Sequence, residues 1–227
     1  MNLYFLVEGN STEKKVYPAW LAYLLPELQR VKNYDEVVKN NYYLISGEGN
    51  PSIYNHIPNA IEEIRSVGKY DYLVICLDAE ERNVTDSKQE IYDLLQSKNI
   101  DMGNTQLAII IQNRCIETWF LGNRKIYLRN PQSIPLLDCT RFYDVSVNCP
   151  ELMGKYDNFN THAQFHKHYL RKLVEAKNIS YSEKRPGDVM EQFYLKELLK
   201  RIEDKPEHLP TFKEFIQFCN MIKAKLQ

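Results

Sequence analysis

The sequence predicts an α/β fold: a parallel sheet of about four strands with helices on both faces, followed by a mainly helical C-terminal extension. In the first half of the chain, short apolar runs of strand length alternate with segments of helical periodicity. That alternation is typical of parallel strands joined by crossover helices. Beyond Arg124 it stops, and amphipathic segments close the chain. We therefore predict an α/β core over residues 1–125, and over residues 126–227 a connecting segment and a helical extension packed on the core.

Four apolar runs predict the strands, and helical spacing between them predicts the helices. The run from Tyr72 to Leu77 is the clearest, because it is continuously apolar, as expected of a parallel strand covered on both faces. The strands are predicted at residues 3–7, 42–46, 72–77 and 107–111. Helices are predicted after Gly9, after the turn at 47–52, at 87–98 and from 116 onward.

The second half of the chain has a different sequence pattern. Residues 127–156 are rich in Pro, Asn and Asp and lack clear periodicity, apart from a short predicted strand from Phe142 to Val147. Three amphipathic helices are then predicted at about residues 162–177, 189–203 and 211–225.

Composition limits the function classes. The chain has 227 residues, 26% of them charged, and a formal net charge of −1, so no overall positive field attracts nucleic acid. Contact with a polyanion would need local patches or bound cations. The five cysteines form no CxxC pair, which favours reduced thiols and a cytoplasmic location. No segment is long enough to span a bilayer, so no membrane association is expected.

Acidic residues follow three of the predicted strands. Glu8 follows the first, Asp78 and Glu80 follow the third, and Glu117 comes just after the fourth. Parallel strands point the same way, so these carboxylates are expected at one edge of the sheet, where open α/β sheets bind ligands. Asp78 and Glu80 would lie on one side if the backbone is still extended there. Glu13, one helical turn after Gly9, would lean over the same edge.

Clustered carboxylates repel one another unless a cation neutralises them. Hard divalent cations prefer oxygen ligands, and Mg²⁺ usually takes one or two carboxylates, several waters and a substrate phosphate. The acidic residues therefore predict a Mg²⁺ site at this edge of the sheet. Each acid taken alone is more often a turn residue or a solvated side chain.

The motifs around these acids resemble a known family. Val7-Glu8-Gly9-x-x-Thr12-Glu13 after a strand, with Leu77-Asp78-Ala79-Glu80 after a later strand, is similar to the Rossmann-like Toprim fold of primases, topoisomerases and small RNA-maturation nucleases. Thr12-Glu13 after Glu8-Gly9 most resembles the OLD (overcoming lysogenization defect) branch of nucleases. The segment Ile116-Glu117-Thr118-Trp119-Phe120 is similar to small stand-alone Toprim-like proteins of bacteria and their phage-defence systems. The resemblance covers about residues 1–125.

The resemblance implies an activity and a ligand set. It implies Mg²⁺-dependent or Mn²⁺-dependent cleavage of DNA or RNA phosphodiesters, with Glu8, Asp78 and Glu80 as catalytic metal ligands and Glu13 and Glu117 as additional ones. At Glu80 the family more commonly has Asp, and the longer side chain alters where a second metal would lie. OLD proteins also carry an ATPase domain. No G-x-x-x-x-G-K-[ST] phosphate loop occurs here, so an ATPase partner would be a separate chain.

Basic residues beside the acidic motifs could steady a scissile phosphate, although each is individually more typical of a surface charge. They are Lys14, Lys15, Arg82 and Arg114. His162, His166 and His168 lack a recognisable zinc-ligand spacing. With Lys167, Arg171 and Lys172 they would more readily form a basic face for a nucleic-acid backbone, and plain solvation is more typical still.

A second hypothesis belongs to another class of function. The chain would be a catalytically weak Toprim-like binding or regulatory module that acts with an ATPase or another partner protein, and the Asp-x-Glu departure favours it. A phosphoacceptor domain that uses Asp78 ranks lower, because Glu8 is followed by Gly9 where a paired acid would be needed.

Overall fold

The computed structural model describes residues 1–128, 131 and 133–226, and it has the predicted α/β fold. A parallel sheet of five strands is flanked by helices, and the C-terminal part is helical. The strands are β1 (Asn2–Val7), β2 (Gln29–Arg30), β3 (Asn41–Ser46), β4 (Tyr72–Asp78) and β5 (Gln106–Gln112). The helices are α1 (Glu13–Leu24), α2 (Ser52–Val67), α3 (Val84–Ser97), α4 (Ile116–Phe120), α5 (Ile134–Phe142), α6 (His162–Ala176), α7 (Gln192–Asp204) and α8 (Pro210–Leu226).

Strand β1 lies at the centre of the sheet. The strand order is β2-β3-β1-β4-β5, so β1 has β3 on one side and β4 on the other. Both pairings are parallel, with Val7 opposite Ser46 in β3 and opposite Cys76 in β4. All six residues of β1 are buried, as its uninterrupted apolar sequence requires.

Two details differ from the sequence prediction. Strand β2 was not predicted, because Gln29 and Arg30 are exposed polar residues that join the sheet only through backbone hydrogen bonds. The predicted strand from Phe142 to Val147 is wrong. Helix α5 ends at Phe142, and the carboxylate of Asp144 then accepts hydrogen bonds from the backbone N–H and hydroxyl of Ser146, which fixes a turn. Residues 129, 130 and 132 of the predicted connection lie outside the described residues.

The chain divides into two compact units. The first unit contains residues 1–77, 84–111 and 215–227. The second contains residues 78–83 and 112–214. The loop after β4 and helices α4 to α7 therefore belong to the second unit. Helix α8 begins in the second unit and continues in the first.

Aromatic packing stabilises the first unit. Phe215 of α8 lies against α1, with its ring centroid 5.3 Å from that of Tyr17 and 6.5 Å from that of Trp20. These three side chains are fully buried. A complete burial of this kind contributes about 2 to 3 kcal/mol for each large apolar side chain. The C-terminal helix is therefore part of the core of the first unit.

Two buried polar groups organise the second unit. The carboxylate of Glu151 accepts hydrogen bonds from the backbone N–H and hydroxyl of Thr211, at 3.2 and 2.9 Å to Oε1, and thereby caps the start of α8. The indole N–H of Trp119 donates to the Thr211 hydroxyl at 2.8 Å, which ties α4 to the same point.

The second buried group is Arg201, which is 1% exposed. It donates from all three guanidinium nitrogens to the carbonyls of Gly122, Val145 and Asn148 and to Nδ1 of His208. The guanidinium therefore joins α7 to three loops of the second unit. Among the described residues, no helix is long and apolar enough to cross a membrane.

Candidate functional site

The backbone of Glu8 is fixed at the carboxyl end of β1. Its N–H donates to the carbonyl of Cys76 at 2.9 Å, and its carbonyl accepts from the N–H of Gly49 at 2.9 Å and the hydroxyl of Ser46 at 3.2 Å. Both neighbouring strand ends therefore hold this residue, and its side chain is 8% exposed. The strand connections change direction across β1, and such a switch point is where open parallel sheets bind ligands.

Glu13, the first residue of α1, is buried and folds back over Gly9. A Cβ atom at Gly9 would overlap the Glu13 carboxylate, so any other residue there would displace the end of the Glu13 side chain. Burial raises the pKa of the Cys76 thiol to about 12, and the negative charge of Glu13 raises it further. A hydrogen bond from Tyr17 acts in the opposite direction and lowers this pKa. Glu13 therefore lies within electrostatic range of the end of β4.

The predicted phosphate-binding lysines of the first unit have ordinary surface environments. The Lys14 ammonium donates to Oδ1 of Asn10 at 3.0 Å, and Lys15 is exposed. In the second unit, Arg82 is half-buried, and its backbone N–H donates to the carbonyl of Ala79 at 2.9 Å.

The loop after β4 is clamped by Arg114. The backbone N–H of Glu80 donates to the carbonyl of Arg114 at 3.0 Å, and Nη1 of Arg114 donates to the carbonyls of Glu80 and Arg82 at 3.0 and 3.1 Å. Glu80 and Arg114 both have left-handed backbones, with φ of 52° and 76°. Such a conformation costs about 1 to 2 kcal/mol in a residue that has a Cβ. The reciprocal hydrogen bonds offset that cost and fix the loop.

The left-handed backbone changes the prediction for the Asp78–Glu80 pair. Strand β4 ends at Asp78, so the backbone is not extended at Glu80 and the alternation of a strand no longer places the two side chains on one side. Asp78 is half-buried, whereas Glu80 is exposed.

Glu117 lies on α4 with only 2% of its surface exposed. The hydroxyl of Tyr181 donates to Oε1 of Glu117 at 2.7 Å. Burial, together with the charge of Glu117, raises the pKa of Tyr181 far above its ordinary value, so the phenol stays a proton donor to the carboxylate.

Lys167 of α6 provides the positive charge beside these acids. Burial alone would lower the pKa of Lys167, but the charges of Glu117, Glu183 and Asp78 outweigh it and raise the pKa above its ordinary value. The ammonium lies 3.7 Å from Oε1 of Glu183. Burial raises the pKa of Cys115, and Glu117 and Asp78 raise it further. Asp78 and Glu117 therefore act on the same two side chains, and we call Asp78, Glu117, Lys167 and Tyr181 the acid–lysine cluster.

The three histidines of α6 have separate environments. Nδ1 of His162 lies 2.6 Å from Oε2 of Glu81, which ties the loop after β4 to the start of α6. Nε2 of His166 faces the carbonyl of Met153 at 3.3 Å, so Nδ1 accepts from the hydroxyl of Thr118 at 2.7 Å. Burial lowers the pKa of His166 to about 3, so this ring is neutral. The ring of His168 lies beside that of Phe159, with centroids 5.0 Å apart.

The five predicted acidic ligands divide between the two units. Glu8 and Glu13 belong to the first, and Asp78, Glu80 and Glu117 belong to the second. Among the described residues, no group of three or more His, Cys, Asp or Glu side chains is arranged to hold a metal ion. By donor chemistry, the carboxylates of Asp78 and Glu117 fit a Mg²⁺ ion that keeps several waters and needs only one or two protein carboxylates.

The sequence did not predict the acid–lysine cluster. Tyr181 lies 64 residues from Glu117, and no local spacing connects the two. The sequence predicts Lys167 only as one member of a basic face. No protein-family model, curated protein or solved structure significantly matches this chain.

Proposed function

We propose that this chain is a Mg²⁺-dependent phosphodiesterase that cleaves DNA or RNA, with Mn²⁺ as the alternative cation. The observation that carries the proposal is the acid–lysine cluster, in which two carboxylates and a protonated lysine influence one another at the end of β4. Buried charged groups with perturbed pKa values concentrate at functional sites. The resemblance to Toprim nucleases in the residues around Glu8 and Asp78 supports the same activity.

Asp78 and Glu117 would hold the cation in the second unit. When bound, Mg²⁺ supplies a Lewis acid for the phosphodiester and lowers the pKa of a bound water. Glu8, at the switch point of the sheet in the first unit, is the third acid that we propose to be essential. Glu80, in the second unit, is the further ligand that the family resemblance implies, and Glu13 stays a prediction of the sequence.

Several other side chains of the second unit have specific roles in this proposal. Lys167 is protonated, so it places a fixed positive charge where negative charge would develop on a phosphoryl group. Tyr181 donates to Glu117 and holds that carboxylate in one orientation. Arg114 and the pair of Glu81 with His162 fix the loop that follows Asp78, and they act as positioning residues.

A second function is favoured by two observations. Glu80 is exposed on a left-handed backbone, and the described residues contain no ready group of three metal ligands. Both would suit a catalytically weak module that binds nucleic acid or a separate ATPase partner. That partner and a role in phage defence rest on the family resemblance alone.

Cleavage assays distinguish the two functions. Purified protein is incubated with supercoiled DNA, single-stranded DNA and tRNA while Mg²⁺ or Mn²⁺ is titrated. We expect cation-dependent cleavage that falls at least about 100-fold in Glu8→Ala and Asp78→Ala, as is usual when a group that acts in the transition state is lost. Asp157→Ala removes an exposed carboxylate of the same kind and should cleave like the wild type.

Two results would overturn the assignment. If none of the three nucleic acids is cleaved, by the protein alone or with its genomic neighbours, the phosphodiesterase proposal is wrong. Cleavage that persists in both Glu8→Ala and Asp78→Ala would leave an activity but would refute these acids as its site.

A further inference from the structure

Two cavities in the second unit share a wall on α6. One has a volume of about 350 Å³ and the other of about 340 Å³. Lys167, Arg171 and Glu183 line both of them. Tyr181, Ser182 and Lys184 also line the first cavity, and Phe159, Gln164 and His168 also line the second. We call the two together the double cavity, and each half is within the usual size range of small-molecule sites.

The sequence of α6 produces the shared wall. Gln164, Lys167, His168 and Arg171 recur at spacings of three and four residues, which places their side chains on one face of the helix. Lys184 adds a third cation from the segment after Tyr181. Against these three positive charges, Glu183 supplies one negative charge, so the double cavity is net positive although the whole chain is not.

Each half of the double cavity also contains an aromatic side chain. Tyr181 lies in the first half, where its ring contacts that of Phe120 at 5.7 Å between centroids. Phe159 and His168 lie in the second half. Burial and the positive charges of Lys172 and Arg171 lower the pKa of His168, so its ring is neutral at pH 7 and offers an aromatic face. The order along the double cavity is therefore aromatic, cationic, aromatic.

We propose that the double cavity binds two successive nucleotides of a single-stranded nucleic acid. The phosphate between them would contact Lys167 and Arg171 at the shared wall, and one base would enter each half beside an aromatic ring. A basic groove interleaved with aromatic rings is the usual means of holding single strands without sequence preference. This inference rests on the proposed nucleic-acid substrate, but the binding it describes needs no metal ion.

Fluorescence anisotropy with a labelled single-stranded oligonucleotide, in EDTA and at low salt, tests the inference. Arg171→Gln and Lys184→Gln should each weaken binding by about fivefold to tenfold and make it less dependent on salt, because each removes a positive charge from the double cavity. Phe159→Leu should weaken binding by about tenfold through lost stacking. Lys172→Gln is the matched control. Lys172 is next to Arg171 in the chain and carries the same charge, but it lines neither half of the double cavity.

Glu183→Gln gives a result of opposite sign. Its carboxylate lies in the shared wall and repels a phosphate, so its removal should tighten binding by several-fold at low salt. A residue with only a structural role would not give that gain. A mononucleotide should compete only weakly with the oligonucleotide, because it occupies one half of the double cavity.

Three outcomes would refute the double cavity as the binding site. They are wild-type binding by Arg171→Gln and Lys184→Gln, an equal loss in Lys172→Gln, and competition by a mononucleotide as strong as that by the oligonucleotide. Any of these, with cleavage intact, would leave the proposed phosphodiesterase standing. Conversely, oligonucleotide binding that follows the expected pattern in a protein that cleaves nothing would support the double cavity and overturn only the activity.

Discussion

The pH dependence of stability should report the burial of Glu151. This carboxylate is 3% exposed. Burial raises its pKa from 4.5 to about 7, although the hydrogen bonds from Thr211 and Phe212 act in the opposite direction. Glu151 is therefore protonated in the folded protein under mildly acidic conditions and ionised above about pH 7. In the unfolded chain it ionises near its ordinary pKa of 4.5.

The sign of the effect follows from the raised pKa. The folded state binds the proton more tightly than the unfolded state, so the stability contributed by protonated Glu151 is fully present below pH 4.5 and is lost as the pH rises through 7. At about 1.4 kcal/mol for each pH unit, the full effect is about 3 kcal/mol. Between about pH 5 and about pH 8 the loss is about 2 to 3 kcal/mol, because the unfolded chain is already partly ionised at the lower pH.

Urea unfolding of the wild type, Glu151→Gln and Glu203→Gln at these two pH values measures the effect. The free energy of unfolding of Glu151→Gln should fall less between them than that of the wild type, by about 2 to 3 kcal/mol, because glutamine does not titrate. Glu203 is exposed, so Glu203→Gln should follow the wild type. Because only the change in the free energy of unfolding between the two pH values is compared, the titration of other groups, which the variants share, cancels. Equal losses in the wild type and Glu151→Gln would show that Glu151 is not held protonated by burial.

Two further predictions concern stability. Arg201→Met should lower the free energy of unfolding by about 3 to 5 kcal/mol, because it leaves buried carbonyls without a hydrogen-bond donor. The control is Lys200→Met. Lys200 is the exposed neighbour, so this substitution should change the free energy of unfolding by less than about 1 kcal/mol. Similar urea midpoints for the two variants would contradict this role. Gly9→Ala should cost about 1 kcal/mol in the wild type and almost nothing in a Glu13→Ala background, since its Cβ displaces the Glu13 carboxylate. A double-mutant cycle without coupling would show that this contact is absent.

The sequence predicts those parts of the fold that depend on local pattern. Strands β1, β4 and β5 are apolar runs, and α6 to α8 are long periodic segments, so each carries its own signal. Strand β2 has no such signal, because backbone pairing to β3 alone makes Gln29 and Arg30 a strand. At Asp144 a side-chain hydrogen bond to the backbone overrides a run of residues with strand propensity.

The same distinction applies to the candidate site. Glu8 and Asp78 follow apolar strands, so their place at the strand ends is predictable from the sequence. The left-handed backbone of Glu80 is not predictable, since it depends on reciprocal hydrogen bonds with Arg114, 34 residues away. The partners of Glu117 come from α6 and from Tyr181, and the chain brings them together only when the second unit folds.

Lys167 has two competing roles, and this determines which substitutions are informative. It is a counter-ion of Glu117 and Glu183, and it also lines both halves of the double cavity. Its removal would leave a buried carboxylate without its nearby positive charge and would remove a phosphate contact at the same time, so a loss of activity would have two causes. Arg171 and Lys184 are exposed and line the double cavity, whereas Asp78 belongs to the acid–lysine cluster and lines neither half. Substituting Arg171 should therefore reduce oligonucleotide binding, while substituting Asp78 should reduce cleavage and leave metal-free binding intact.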